Sequence, residues 1–207
     1  YIDGEYGLSS AGQPIYKYFR PDYHMANETL EPVINGIRPV IVGMDLGLTP
    51  AAVIGQSDPR GRALIFDEAV SFDISSAPVT VVVDPAGVQR AQTDERSAID
   101  ILKAEGLKVI AARTNNVTAR LGAVDDYLMR HVDGDSAFLV DPRCTALKAA
   151  MMGGYRFHPK TGAIEKGKHS HVAEALQYLM LHIASVSEGS IMLARREVKP
   201  LSAVGWT

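Results

Sequence analysis

Three carboxylates and one histidine stand where they could work together. Asp45 closes the apolar run Val40-Ile41-Val42-Gly43-Met44 and is followed by Gly47-Leu48-Thr49-Pro50, while Asp84 closes Val79-Thr80-Val81-Val82-Val83 and is followed by Pro85-Ala86-Gly87. Glu174 lies in Ser170-His171-Val172-Ala173-Glu174-Ala175-Leu176, where the spacing puts His171 almost one helical turn before it on the same face. Carboxylate oxygens suit Mg²⁺ or Mn²⁺, hard cations that keep some of their waters. Two such ions about 3.5–4 Å apart, bridged by Asp45, would activate a water and stabilise the leaving 3′-oxygen of a phosphodiester. Hydrolysis of nucleic acid is the chemistry this set supports. Taken singly, each residue also has a plainer reading: Asp84-Pro85 as a strand-ending turn, Glu174 as a solvated helix residue, and His171 as a helix-start residue bonded to backbone.

For the set to meet, the elements must place it. Runs at 39–45, 51–56 and 62–70, separated by turn signals at hairpin spacing, predict a three-stranded antiparallel meander with Asp45 at one end. The β-branched run at 79–83 predicts a strand buried on both faces. If it neighbours the first strand, Asp84 sits beside Asp45. A helix over 170–185, with the apolar stripe Val172, Ala175, Leu176, Leu179, Met180 and Ile183, can cross that edge and present Glu174. Between these lie a helix starting at Thr93-Asp94-Glu95-Arg96 and ended by Gly106, a short strand at Val109-Ile110-Ala111, and a helix from about Val117. A strand at 137–140, a helix over 143–151 and a hairpin of 153–157 with 162–164 follow. Residues 1–38 read as an irregular lead-in packing on the first strand, residues 39–187 as the catalytic unit, and residues 188–207, with Arg195, Arg196 and Lys199, as a mobile tail.

Composition narrows the partners. The chain has 207 residues, 46% apolar and 22% charged, with a formal charge of -3, which fits one globular domain and excludes a uniformly basic nucleic-acid coat. Contact with DNA must come from local patches, and the candidates are Arg60 and Arg62 on the second hairpin, Arg113 and Arg120 flanking Thr114-Asn115-Asn116, and Arg156, Lys160, Lys166 and Lys168 around the late hairpin. Cutting with little sequence preference needs such phosphate contacts; scattered solvated charge is the alternative. The lone Cys144 excludes an internal disulfide and a Cys-based zinc site, suits a reducing compartment, and reads as a small buried apolar residue. No run approaches the roughly 18 apolar residues of a membrane span, so a soluble, cytoplasmic protein without a membrane partner is expected. Asp141, ending an apolar run before Pro142, is a rival carboxylate on a strand expected at the sheet edge; Asp67 and Glu68 could hold a metal-bound water or simply end the third strand in solvent. The opening Tyr1-Ile2-Asp3-Gly4-Glu5-Tyr6-Gly7 reads like the middle of a longer polypeptide.

Five stretches in order carry a resemblance: Val42-Gly43-Met44-Asp45-Leu46-Gly47-Leu48-Thr49-Pro50-Ala51-Ala52, Val83-Asp84-Pro85-Ala86-Gly87, Thr93-Asp94-Glu95-Arg96-Ser97, Gly153-Gly154-Tyr155-Arg156, and Ser170-His171-Val172-Ala173-Glu174-Ala175-Leu176-Gln177-Tyr178. Together they resemble the C-terminal nuclease domain of a tailed-bacteriophage terminase large subunit, from near residue 1 to about 185. The resemblance implies an α/β, ribonuclease-H-like fold of the RNase H/integrase superfamily, a mixed central sheet flanked by helices. It also implies an endonuclease that cuts concatemeric double-stranded phage DNA when packaging starts and when the capsid is full. Its metal ligands would be Asp45, Asp84 and Glu174, holding two Mg²⁺ or Mn²⁺ ions, with His171 beside them. The implied partners are double-stranded DNA, an N-terminal ATPase domain, the terminase small subunit and the portal, in the host cytoplasm. No Gly-rich loop ending in Gly-Lys-Ser/Thr is present, so this chain would cut without pumping.

Two departures qualify the resemblance. The family reads His-x-x-Asp-Ala-Leu where this chain has Glu174, one methylene longer, so the second metal site is expected to be shifted or more weakly occupied. Ser71-Phe72-Asp73-Ile74-Ser75-Ser76-Ala77-Pro78 cannot supply the helix expected between the third and fourth strands, so either the helix is absent or residues are missing there; the link at 165–169 is similarly short. Three rivals remain. An actin-like sugar kinase or ATPase shares the strand-Asp-x-Gly-x-Thr pattern of Asp45-Leu46-Gly47-Leu48-Thr49 but needs a duplicated domain; a portal-docking module needs no catalysis; and a Holliday-junction-type resolvase shares the chemistry.

Overall fold

Six strands join in one sheet, in the order β5 (Lys108–Ala111), β4 (Val79–Val83), β1 (Val40–Asp45), β2 (Ala51–Ser57), β3 (Ala63–Asp67) and β8 (Phe138–Val140). β1, β2 and β3 form the antiparallel meander, and β4 lies parallel beside β1. β5 adds parallel to β4, and β8 parallel to β3. A two-stranded ribbon, β6 (His131–Val132) with β7 (Asp135–Ser136), stands apart. The helices are α1 (Pro21–His24), α2 (Ala98–Ala104), α3 (Val117–Met129), α4 (Thr145–Ala149) and α5 (Ser170–Glu197). This mixed sheet flanked by helices is a ribonuclease-H-like fold. The computed structural model describes residues 12–34, 37–46, 50–68, 78–85 and 98–197. The Gly47-Leu48-Thr49 turn, the link at 71–77, the helix start at 93–96, the opening heptapeptide and residues 198–207 lie outside the described residues.

Strand alternation sends successive side chains to opposite faces. Val40, Val42, Ile54, Phe66, Val81 and Val83 pack with Ile99 of α2 on one face. Ile41, Val53, Ile65 and Val82 meet Leu176, Leu179, Met180 and Ile183 of α5 on the other. Gly43 lets α5 come close: a Cβ there would lie 2.2 Å from the Ala175 carbonyl oxygen and 2.8 Å from the Leu179 nitrogen. The missing side chain in β1 therefore sets how near Glu174 can come to Asp45.

The described part of the lead-in packs more widely than on the first strand: Leu30 lies against the cluster of Val40 and Val42, Ile15, Tyr16 and Phe19 share a cluster with Ile41 and the α5 side chains, Met25 bridges Val140 of β8 and Pro14 bridges Arg156. Three expectations need correcting. Gly153 and Gly154 are not strand: α4 runs on into a π-helical turn (Ala150–Gly154) in which Gly153 has φ 109°, and the Tyr155 N–H closes it on the Ala150 carbonyl at 2.9 Å. The hairpin is shorter, with Phe157 bridging Ile164. The last helix does not stop at Ser185 but reaches Glu197. The β6–β7 ribbon went unforeseen although Asp133-Gly134, at φ 55° and 87°, is a favoured two-residue hairpin turn.

Candidate active site

The parallel register pairs Met44 with Val83, so Asp45 and Asp84 leave the same edge of the sheet from adjacent strands spaced roughly 5 Å apart. α5 begins beside that edge. The Gly167 N–H donates to the Ser170 Oγ at 2.9 Å, and the Ser170 N–H donates to the Gly167 carbonyl at 3.0 Å, fixing the loop that enters the helix. His171, Glu174 and Tyr178 then recur along one face of α5.

His171 Nδ1 lies 2.8 Å from Asp45 Oδ2, a spacing at which the ring N–H donates to the carboxylate. Glu174, 7% exposed, accepts a hydrogen bond from the buried Tyr155 hydroxyl at 3.4 Å and forms an ion pair with Lys166 Nζ through the same Oε1. Burial pushes the Tyr155 hydroxyl up to about 12; a Gln177 hydrogen bond opposes this and the Glu174 charge adds to it. The Tyr178 hydroxyl donates to Asn115 Oδ1 at 3.0 Å and accepts from Arg120 Nη1 at 3.0 Å. Burial raises its pKa, Arg120 lowers it, and the charges of Asp84, Glu174 and Asp45 all raise it. All three carboxylates thus act on one hydroxyl, and the sheet edge and α5 share one electrostatic neighbourhood.

A second polar layer supports α5 from behind. Fully buried Gln177 donates from Nε2 to the Tyr16 hydroxyl at 2.8 Å, and Tyr16 donates to the Ala173 carbonyl at 3.4 Å. Asp45, Asp84 and Glu174 are oxygen donors of the kind a hard divalent cation takes, so their chemistry fits Mg²⁺ or Mn²⁺. Among the described residues, no three His, Cys, Asp or Glu groups already stand at metal-ligand spacing; Asp45 is held by His171 and Glu174 by Lys166.

The basic candidates divide. Arg113, exposed, follows β5 at the carboxylate edge, and Lys166 and the exposed Lys168 lie on the loop entering α5. Lys160 is exposed at the hairpin turn, whereas Arg156 is paired with Glu165 at 2.8 Å. Arg120, 5% exposed, is packed under Tyr178 and cannot offer its guanidinium to DNA. Arg60 and Arg62 are at the wrong end: β2 starts opposite Asp45 and runs away from it, so the turn after Ser57 stands roughly 20 Å off. There Arg62 pairs with Asp58 at 2.7 Å and Arg60 with Asp133 at 3.5 Å.

The rival carboxylates have other duties. Asp141 is fully buried, bound by the Arg143 guanidinium and by the Leu30 and Arg143 N–H groups. Burial pushes its pKa up, but these partners outweigh it and hold the carboxyl below the usual range. Glu68 accepts the Ala146 N–H at 2.7 Å and caps α4, and Asp67 accepts the Glu68 N–H; β3 runs in the same direction as β1, so both leave the sheet at the Asp45 end, two strands away, with their oxygens already engaged. The buried Cys144 thiol is pushed up by burial and is no nucleophile. Tyr155, Tyr178 and Asn115 were not foreseen as site residues. The signal for Tyr178 was its helical spacing from His171 and Glu174.

No protein-family model matches the chain, and no curated protein sequence does. Solved structures do. The large terminase of a thermophilic bacteriophage superposes with a TM-score of 0.59 at 17% identity, covering 84% of this chain and 46% of that one. The P22 large terminase nuclease domain gives a TM-score of 0.59 at 13% identity, covering 84% of this chain and 99% of that one. The large terminase nuclease of the thermophilic phage G20c with bound cobalt gives 0.50 at 11% identity, covering 83% and 96%. The chain spans about half the length of the first of these proteins and has the fold of the large-terminase nuclease domains.

Proposed function

We propose that the chain is a metal-dependent endodeoxyribonuclease, the nuclease unit of a phage DNA-packaging terminase. The single observation that supports this reading is the exit of Asp45 and Asp84 from adjacent strand ends, with His171 of the helix that carries Glu174 bonded to Asp45, on the fold of large-terminase nucleases. Residues 39–187 form the nuclease unit, and residues 1–38 are its lead-in. The substrate is double-stranded phage DNA in concatemers, and the small subunit, the portal and an ATPase domain are the partners of the whole protein.

Asp45, Asp84 and Glu174 are the residues to hold Mg²⁺ or Mn²⁺, and a G20c relative crystallised with cobalt is consistent with a divalent ion. When bound, such ions supply an activated water and stabilise the leaving oxygen. The chain supplies the rest. His171 orients the Asp45 carboxylate through Nδ1, leaving the other oxygen to a ligand. Tyr155 steadies Glu174, and the Arg120–Tyr178–Asn115 network fixes the α5 face against α3. Arg113, Lys160, Lys166 and Lys168 offer phosphate contacts without reading bases.

Supercoiled plasmid incubated with the chain and Mn²⁺ or Mg²⁺ should be nicked and linearised, and Asp45→Ala and Asp84→Ala should each abolish cutting. Cutting that survives in either variant removes this assignment.

A further inference from the structure

We infer that Lys166 is a built-in counter-cation of the carboxylate cluster, which a divalent ion must displace from Glu174 and which then becomes available to the DNA backbone. The inference rests on the nuclease reading above and concerns the order in which two cations use one carboxylate. Lys166 Nζ pairs with Glu174 Oε1, the oxygen that also takes the Tyr155 hydroxyl. The two partners differ sharply in setting: the Lys166 side chain is 65% exposed and that of Glu174 only 10%. A mostly solvated lysine therefore reaches its head inward to a buried acid. Carboxylates gathered near Tyr178 repel one another when no metal is bound, and an ammonium on a flexible stem is a means of relieving that repulsion which is easily withdrawn.

The surrounding chain favours exchange over permanent pairing. Gly167 clasps Ser170 through the two hydrogen bonds at the α5 entrance, so the Lys166 backbone stays anchored beside Glu174 while its side chain swings. Glu174 carries one methylene more than an aspartate, which lets its carboxylate turn between an ammonium on the loop side and an ion on the sheet side. His171 already holds Asp45, so Glu174 is the arm free to change cations. An ammonium released there remains within one side-chain length of the carboxylates, where a phosphodiester must lie to be cut. One charge thus serves first as a placeholder and then as a phosphate contact.

Mn²⁺ titration calorimetry without DNA tests this on the wild-type chain, Lys166→Met, Glu174→Gln and the double variant. Lys166→Met should tighten the weakest Mn²⁺ step by roughly tenfold, a charge-assisted bond discounted for solvent exposure, and the gain should vanish in the Glu174→Gln background. Equal Mn²⁺ affinity for the wild-type chain and Lys166→Met overturns the counter-cation role while leaving the metal centre intact. An equal gain with and without Glu174 also overturns it, because Lys166 would then act as general surface charge. Absence of Mn²⁺ binding in every variant, including Lys166→Met, overturns both this inference and the nuclease reading.

Discussion

Replacing Gly43 by alanine adds one methyl group in the place where β1 and α5 touch. The new Cβ would lie 2.2 Å from the Ala175 oxygen and 2.8 Å from both the Leu179 nitrogen and the Leu179 Cβ. The two closest obstacles that matter are backbone, so no rotamer change relieves them. Restoring a 3.4 Å contact to the Ala175 oxygen requires the helix and strand to part by about 1.2 Å, the difference between that distance and the 2.2 Å found here. Overpacking of this kind costs about 1–3 kcal/mol, which for a chain of this size lowers Tm by roughly 2–12 °C. Ala175 follows Glu174 directly, so the same retreat carries Glu174 and His171 away from Asp45, and a misplacement of about 1 Å costs on the order of 100-fold in rate. Urea melts and Mn²⁺-dependent plasmid cleavage, the latter well below the melting point, should show both losses. Gly122→Ala is the control, because a Cβ in that α3 position meets nothing within 4 Å and should stabilise by roughly 0.5–1 kcal/mol. A Gly43→Ala chain as stable and as active as the parent would refute the close approach as the determinant of the site.

Three further outcomes are expected. Asp125 has its pKa raised by burial, Lys17 opposing and Asp126 adding; a folded value above the unfolded one costs stability as pH rises through that interval, so Asp125→Asn should raise the urea midpoint at pH 7 and make no difference near pH 3. Asp58 and Asp141 have depressed values despite burial, so their contribution is complete above about pH 4 and fades as pH falls through the folded values; acid melts of Asp141→Asn should lose that limb, and an unchanged acid midpoint would count against it. In DNA-binding titrations against salt, Lys168→Ala should reduce the log-log slope by about one while Arg60→Ala leaves it unaltered; the reverse order would place DNA at the other end of the sheet.

Sequence made the carboxylate edge legible because strand runs and their terminal acids are local features. The meander, the buried β4 and the α5 stripe all follow from periods of two and 3.6. Charge type carries no such address. Arg60 and Arg120 look alike as basic residues, yet one sits beyond the far end of β2 and the other beneath Tyr178. The antiparallel meander itself implied the position of Arg60, since the turn after β2 must be remote from Asp45. Burial of Arg120, in contrast, arises from α3 meeting α5 and has no local signature. The turn at Gly153 does have a local mark, the Gly153-Gly154 pair, since the φ of 109° at Gly153 favours glycine. Tyr155 and Tyr178 carry no mark of their hydroxyl partners in the sequence, because Glu174, Arg120 and Asn115 reach them only through tertiary packing.

The Tyr16–Gln177 hydrogen bond gives the chain ahead of β1 a mechanical role. Tyr16 is bonded to Gln177 and to the Ala173 carbonyl, which flank Glu174 on either side along α5. Force applied to the polypeptide before residue 13 would be taken up first by the Gln13 and Ile15 backbone bonds to Phe157 and Tyr155, and next by the Tyr16 contacts on the helix that carries Glu174. Tension on the preceding chain and the set of Glu174 are thus mechanically in series.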